Sequence, residues 1–155
     1  MTRHLQVLLV VALVLTPATI RAQSGSPEAS LKLAHKTLVA AINSGNPSML
    51  EPTLHRHGVG FFKDSQMIVQ LGGGYGASEA IPAVIEDLGR FSMEAYEEVY
   101  RVVESTGVVC MATTLEPKKG AKGQPRFIRS TWTYANLNGA WRLVAWHSSD
   151  IPLKK

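Results

Sequence analysis

The stretch NGAWRLVAWHSSDIP, residues 138–152, decides the fold. Asn138-Gly139 lies between two runs rich in Trp, Tyr, Thr and Val, the strongest short-range signal for a β-hairpin with a two-residue turn. Such a turn sets the register, so the pairing can be counted. Leu137 should oppose Ala140, Asn136 Trp141, Tyr134 Leu143, Trp132 Ala145, and Ser130 His147. On that count one face carries Trp132, Tyr134, Trp141, Leu143 and Ala145, with His147 and Ser149 near its end. The opposite face carries Arg129, Thr131, Thr133, Arg142, Val144, Trp146 and Ser148. The first face is the more apolar and is predicted to point inward.

Three further strands are predicted upstream of residue 140, over 93–104, 107–116 and 126–135, all rich in Tyr, Val and Thr. Two shorter ones are expected at 59–62 and 66–71. Gly72-Gly73-Gly74-Tyr75-Gly76 reads as a loop; it lacks the Lys-Ser/Thr ending of a P-loop and a βαβ setting. Helices occupy the N-terminal half. Ser26-Pro27-Glu28 gives an N-cap, a proline at the first helical position and an acid in the first turn. Leu31, Ala34, His35, Leu38, Ala41 and Ile42 then form one stripe at spacings of three and four. A short helix follows Asn46-Pro47, and another is expected over 78–88. Helices first and long strands last predict an α+β domain over 26–152, its helices packed on one face of a strongly curved antiparallel sheet.

With 155 residues, 45% hydrophobic and 18% charged, the chain can bury a single core. Residues 1–22 read as a secretory signal peptide: Arg3 and His4, an apolar run over 5–15, the breaker Thr16-Pro17, and Ala22 before cleavage. The alternative is an uncleaved anchor, although the run is short for a bilayer. Residues 23–25 form a linker. A periplasmic or secreted location follows, without a stable membrane anchor. Setting the leader aside removes Arg3 and Arg21 and lowers the formal charge from +4 to +2. The basic cluster Lys118, Lys119 and Lys122 sits among glycines and reads as a solvated loop, so no nucleic-acid partner is expected. Cys110 is the sole cysteine, which excludes an internal disulfide; it is expected to be a buried small hydrophobe.

The closing pattern resembles that of nuclear transport factor 2-like domains. The residues carrying the likeness are Arg129-Ser130-Thr131-Trp132-Thr133-Tyr134, Asn138-Gly139, Trp141 and His147-Ser148-Ser149. That superfamily includes SnoaL-like cyclases, ketosteroid isomerase and the association domain of calcium/calmodulin-dependent kinase type II. The resemblance implies a cone-shaped fold with a pocket behind the N-terminal helices, and a homodimer formed through the outer sheet face.

Candidate pocket residues are Trp132, Tyr134, Trp141, His147 and Ser149, with Tyr96 and Tyr100 from the long strand. A buried imidazole without a partner costs ~1–3 kcal/mol, so His147 must meet a polar neighbour, water or a ligand. It is the candidate for acid–base chemistry, with a satisfied structural histidine as the alternative. The inner hairpin face offers no carboxylate, and Glu94, Glu97 and Glu98 have no clear inner assignment. His55 and His57 would project the same way on an extended strand, a workable but incomplete metal geometry. No metal or cofactor is called for. The expected function is an exported domain that binds a small hydrophobic or amphipathic molecule. A SnoaL-like acid–base enzyme acting on a carbonyl compound and an oligomerisation module are the alternatives.

Overall fold

The computed structural model describes residues 25–61, 69–70 and 88–152. The leader, the glycine loop and the helix expected over 78–88 (Leu88 apart) lie outside the described residues.

Helix α1 spans Pro27–Ser44 and begins as its sequence dictates. Ser26 Oγ accepts from the Ala29 N–H at 3.2 Å, Pro27 opens the first turn, and Gly45 closes the helix in the left-handed region. Leu31, His35, Leu38, Ala41 and Ile42 are its buried side chains. A four-residue helix α2, Pro47–Leu50, and a 3-10 turn, Glu51–Thr53, lead into the sheet.

The six strands are β1 Leu54–Phe61, β2 Val69–Gln70, β3 Phe91–Val103, β4 Thr106–Pro117, β5 Arg126–Leu137 and β6 Ala140–Asp150. Their order is β2-β1-β6-β5-β4-β3. All neighbours are antiparallel except β1 and β6, which are parallel. The sheet is therefore mixed, where the sequence suggested antiparallel pairing throughout. The difference arises because β1 is reached from the helices and joins the edge formed by the chain's last strand. Strand β1 also starts five residues earlier than expected.

The hairpin register agrees with the turn-based count near Asn138-Gly139: Leu137 opposes Ala140, Asn136 opposes Trp141 and Tyr134 opposes Leu143. Beyond it a β-bulge intervenes. Thr133 pairs with Ala145, so Val144 is an extra residue on β6. Every later side chain changes face. Trp132 opposes Trp146, Thr131 opposes His147, and Ser130 opposes Ser148. A second bulge at Tyr96 does the same to β3, where Ala95 pairs with Thr113 and Glu97 with Ala112.

The core lies between α1 and the inner sheet face. Trp132 and Tyr134 are its largest fully buried side chains, and the Trp132 and Trp146 rings lie 4.2 Å apart between centroids. Gly107 sits where α1 crosses the sheet. A Cβ there would come within 2.8 Å of both Leu31 Cδ atoms and 3.1 Å from Trp141. Leu31 is fully buried and cannot swing into solvent. Gly107→Ala should therefore destabilise the chain by about 1–3 kcal/mol, read as a lower urea midpoint at unchanged slope.

The lysine loop is not wholly solvated. Lys118 Nζ donates to the backbone carbonyls of Asn43 at 2.6 Å and Gly89 at 2.8 Å. Among the described residues no helix is long and apolar enough to cross a membrane.

Candidate functional site

The inner face is built from rows of side chains across the strands. Tyr100, Val109, Trp132 and Trp146 form one row, and Glu98, Met111, Ser130 and Ser148 the next. His35 of α1 lies over the first row. Its ring centroid is 5.0 Å from that of Trp132, 5.8 Å from Tyr100 and 6.0 Å from Tyr134.

His35 has its two ring nitrogens on different partners. Nδ1 lies 2.8 Å from the Tyr134 hydroxyl, and Nε2 lies 3.4 Å from Glu98 Oε1. A carboxylate only accepts, so this network puts the ring proton on Nε2 and has Tyr134 donate to Nδ1. The Nε2 contact is an ion-pair distance outside hydrogen-bond geometry. Burial lowers the His35 pKa to about 4, with Glu98 pulling the other way. The imidazole is thus neutral near pH 7. Burial likewise raises the Tyr100 and Tyr134 hydroxyls above their usual value, and the nearby Glu98 charge adds to both shifts. Both tyrosines keep their protons and remain donors.

Several polar atoms on this face lack a hydrogen-bond partner among the described residues. They are Trp132 Nε1 and Thr113 Oγ1, on residues with no exposed surface, and Tyr100 Oη, which faces Glu98 without a well-formed bond. Thr113 lies four residues along β4 from Val109, so these atoms span about 13 Å of strand. Beside them a cleft of about 430 Å³ opens between α1 and β3, lined by Lys36, Val39, Asn43, Met93, Ala95 and Glu98.

Trp132, Tyr134, Trp141 and Tyr100 occupy the inner face as expected. Trp141 is tied to α1 by its indole N–H, 2.9 Å from Ser30 Oγ. Five residues are reassigned. His147 and Ser149 lie on the outer face, because the Val144 bulge turns them away from the helices. Trp146 takes the inner position instead, with its indole N–H on Ser148 Oγ. Tyr96 is 54% exposed because it is itself the bulged residue of β3. Cys110 is exposed on the outer face, alternating with buried Val109 and Met111.

Two residues of the site escaped the sequence reading. In the sequence His35 reads as a member of the apolar stripe of α1, with no role at this site. Glu98 is the inner carboxylate, brought inward by the Tyr96 bulge. A signal existed in both strands: the large apolar residues change parity, from Phe91 and Met93 to Tyr100 and Val102, and from Trp141 and Leu143 to Trp146. A period-two pattern that changes parity within one strand marks a bulge.

His55 and His57 have ring centroids 5.6 Å apart, and the His57 backbone N–H donates to His55 Nδ1. Among the described residues no group of three potential metal ligands assembles there or elsewhere.

The order of elements, with helices on one face of a long-stranded bent sheet, defines an α+β cone. Comparison with solved structures identifies it as the nuclear transport factor 2-like (NTF2-like) fold. An NTF2-like protein from Cytophaga hutchinsonii superposes with a TM-score of 0.66 at 17% identity, covering 82% of this chain and 100% of that one. A candidate ketosteroid isomerase from Shewanella frigidimarina gives 0.66 at 13%, covering 77% and 94%. A candidate calcium/calmodulin-dependent protein kinase II association domain from Xanthomonas campestris gives 0.63 at 22%, covering 83% and 90%. No protein-family model and no curated protein matches the sequence.

Proposed function

We propose that the chain is an exported small-molecule-binding protein whose ligand lies along the inner sheet face, beside α1, and presents oxygen acceptors to it. The observation that carries this reading is the pair of buried donors that have no partner among the described residues, Trp132 Nε1 and Thr113 Oγ1, with the Tyr100 hydroxyl near them beside Glu98. Each group left without a bond costs ~1–3 kcal/mol. A fold that keeps such donors on one face is spending stability where a ligand or bound water can recover it. Trp132 Nε1 can only donate, so its partner must accept. Glu98 beside these donors disfavours an anionic acceptor and favours a neutral carbonyl. Export rests on the leader-like residues 1–22.

The test is a pair of near-isosteric variants. Thr113→Val removes the hydroxyl at constant shape and should raise unliganded stability by about 1–3 kcal/mol. A loss of stability would mean that the hydroxyl is bonded within the fold, and would remove the reading's support. Trp132→Phe keeps an aromatic ring and removes the donor. A thermal-shift screen of small neutral ketones, esters and amides should give hits whose affinity falls at least tenfold in this variant. Hits indifferent to Trp132 would place binding elsewhere.

One observation favours a second reading, acid–base catalysis on a carbonyl compound. Glu98 is a carboxylate at the cleft, backed by a neutral histidine that a tyrosine holds in one tautomer. Such a group is suited to taking a proton beside donors that stabilise a developing oxyanion. Glu98→Gln would then abolish turnover while leaving carbonyl binding within about threefold.

A further inference from the structure

We propose that the outer sheet face carries a second binding site, for small organic monocarboxylates, separate from the inner face. The Val144 bulge creates it by turning His147 and Ser149 outward to join residues of three other strands. Two rows result. Val99, Cys110, Thr131 and His147 lie side by side across β3, β4, β5 and β6, and Glu97, Ala112, Arg129 and Ser149 lie beside them. Together they line a trough of about 500 Å³, within the range of small-molecule pockets.

The chemistry of the trough is asymmetric. Its β5–β6 side carries donors. Arg129 Nε donates to Ser149 Oγ at 3.1 Å, which fixes the guanidinium plane and leaves its terminal nitrogens to bind. No carboxylate among the described residues is within ion-pair distance of Arg129. The Thr131 hydroxyl and the His147 ring flank it. A planar carboxylate is the natural partner of a guanidinium held in this way. The β3–β4 side is apolar and low, with Val99, Cys110 and Ala112 offering contact to a hydrocarbon body. Glu97 stands on the β3 rim and repels a second negative charge. The site therefore selects one carboxylate on an apolar body over phosphate or a dicarboxylate.

The experiment is an amide-shift NMR titration of the full chain with benzoate, with benzamide and inorganic phosphate as matched probes. Benzoate should shift the amides of Cys110, Thr131 and His147 in a saturable way. Benzamide and phosphate should bind at least tenfold more weakly. Arg129→Gln, at an exposed position, should weaken benzoate at least tenfold without unfolding the chain. Arg142→Gln, on the same strand face but outside the trough, should leave it unchanged. Trp132→Phe should also leave it unchanged, which separates this site from the inner one. Equal binding of benzamide, indifference to Arg129→Gln, or shifts confined to inner-face residues would overturn the proposal. So would a dimer that seals this face and excludes benzoate.

Discussion

Acidification from pH 7 to pH 4 should remove about 3 kcal/mol of stability through His35 alone, because the 6.5 of a free imidazole falls to about 4 in the fold. Above pH 6.5 the ring is neutral whether the chain is folded or not, and it contributes no slope. Between 6.5 and 4 the unfolded chain takes up a proton that the folded chain refuses, so stability falls with pH. Below 4 both states are protonated and the contribution levels off. Urea midpoints at intervals between pH 7 and 4 would show the decline, and His35→Gln should remove the His35 share of the slope. A His35 imidazole titrating by NMR near 6.5 would refute the account. The cause is placement: the ring has no exposed surface, lies against Trp132, and has only Glu98 to favour its charged form.

Trp146→Ala should be the most damaging single change in β6, because the ring is buried against Trp132. Losing a buried tryptophan from a packed core costs roughly 3–5 kcal/mol. Against the roughly 5–15 kcal/mol typical of a whole domain, that is a large share of the stability. Deletion of Val144 should cost far less. It removes the one residue of the bulge that has no partner on β5, and Leu143, Ala145 and Trp146 then follow in regular alternation, with Trp146 still opposite Trp132 and His147 still outward. Circular dichroism and urea titration of the two variants would test this. A deletion as damaging as Trp146→Ala would show that the bulge itself, and not only the face it sets, holds the hairpin together.

The same bulge explains what could and could not be read from the sequence. The Asn138-Gly139 turn, the span of β6 and the cap of α1 were legible because each is set by local chemistry within a few residues. The identity of the inner face was not, because it depends on an unbroken count of two along a strand. Val144 has the composition of any strand residue, and its effect appears only in how Trp146 pairs with Trp132. The pairing of His35 with Glu98 was hidden for another reason: it joins residues 63 positions apart, and the inward turn of Glu98 depends on the second bulge at Tyr96. Trp132, Tyr134 and Trp141 were correctly placed because they lie on the turn side of the β6 bulge or on the regular strand β5.

Lys118 ties distant parts of the chain together in a way that bears on engineering. Helix α1 has no basic residue in its own last turn. The positive charge that such an end favours comes from the β4–β5 loop, 75 residues downstream, through the bond to the Asn43 carbonyl. The bond to Gly89 joins the approach to β3 to the same ammonium. A designer who trims that glycine-rich loop to rigidify the hairpin would therefore also uncap the first helix and loosen the entry to the long strand. Grafts and permutations that relocate this loop would need to supply a substitute cation at Asn43.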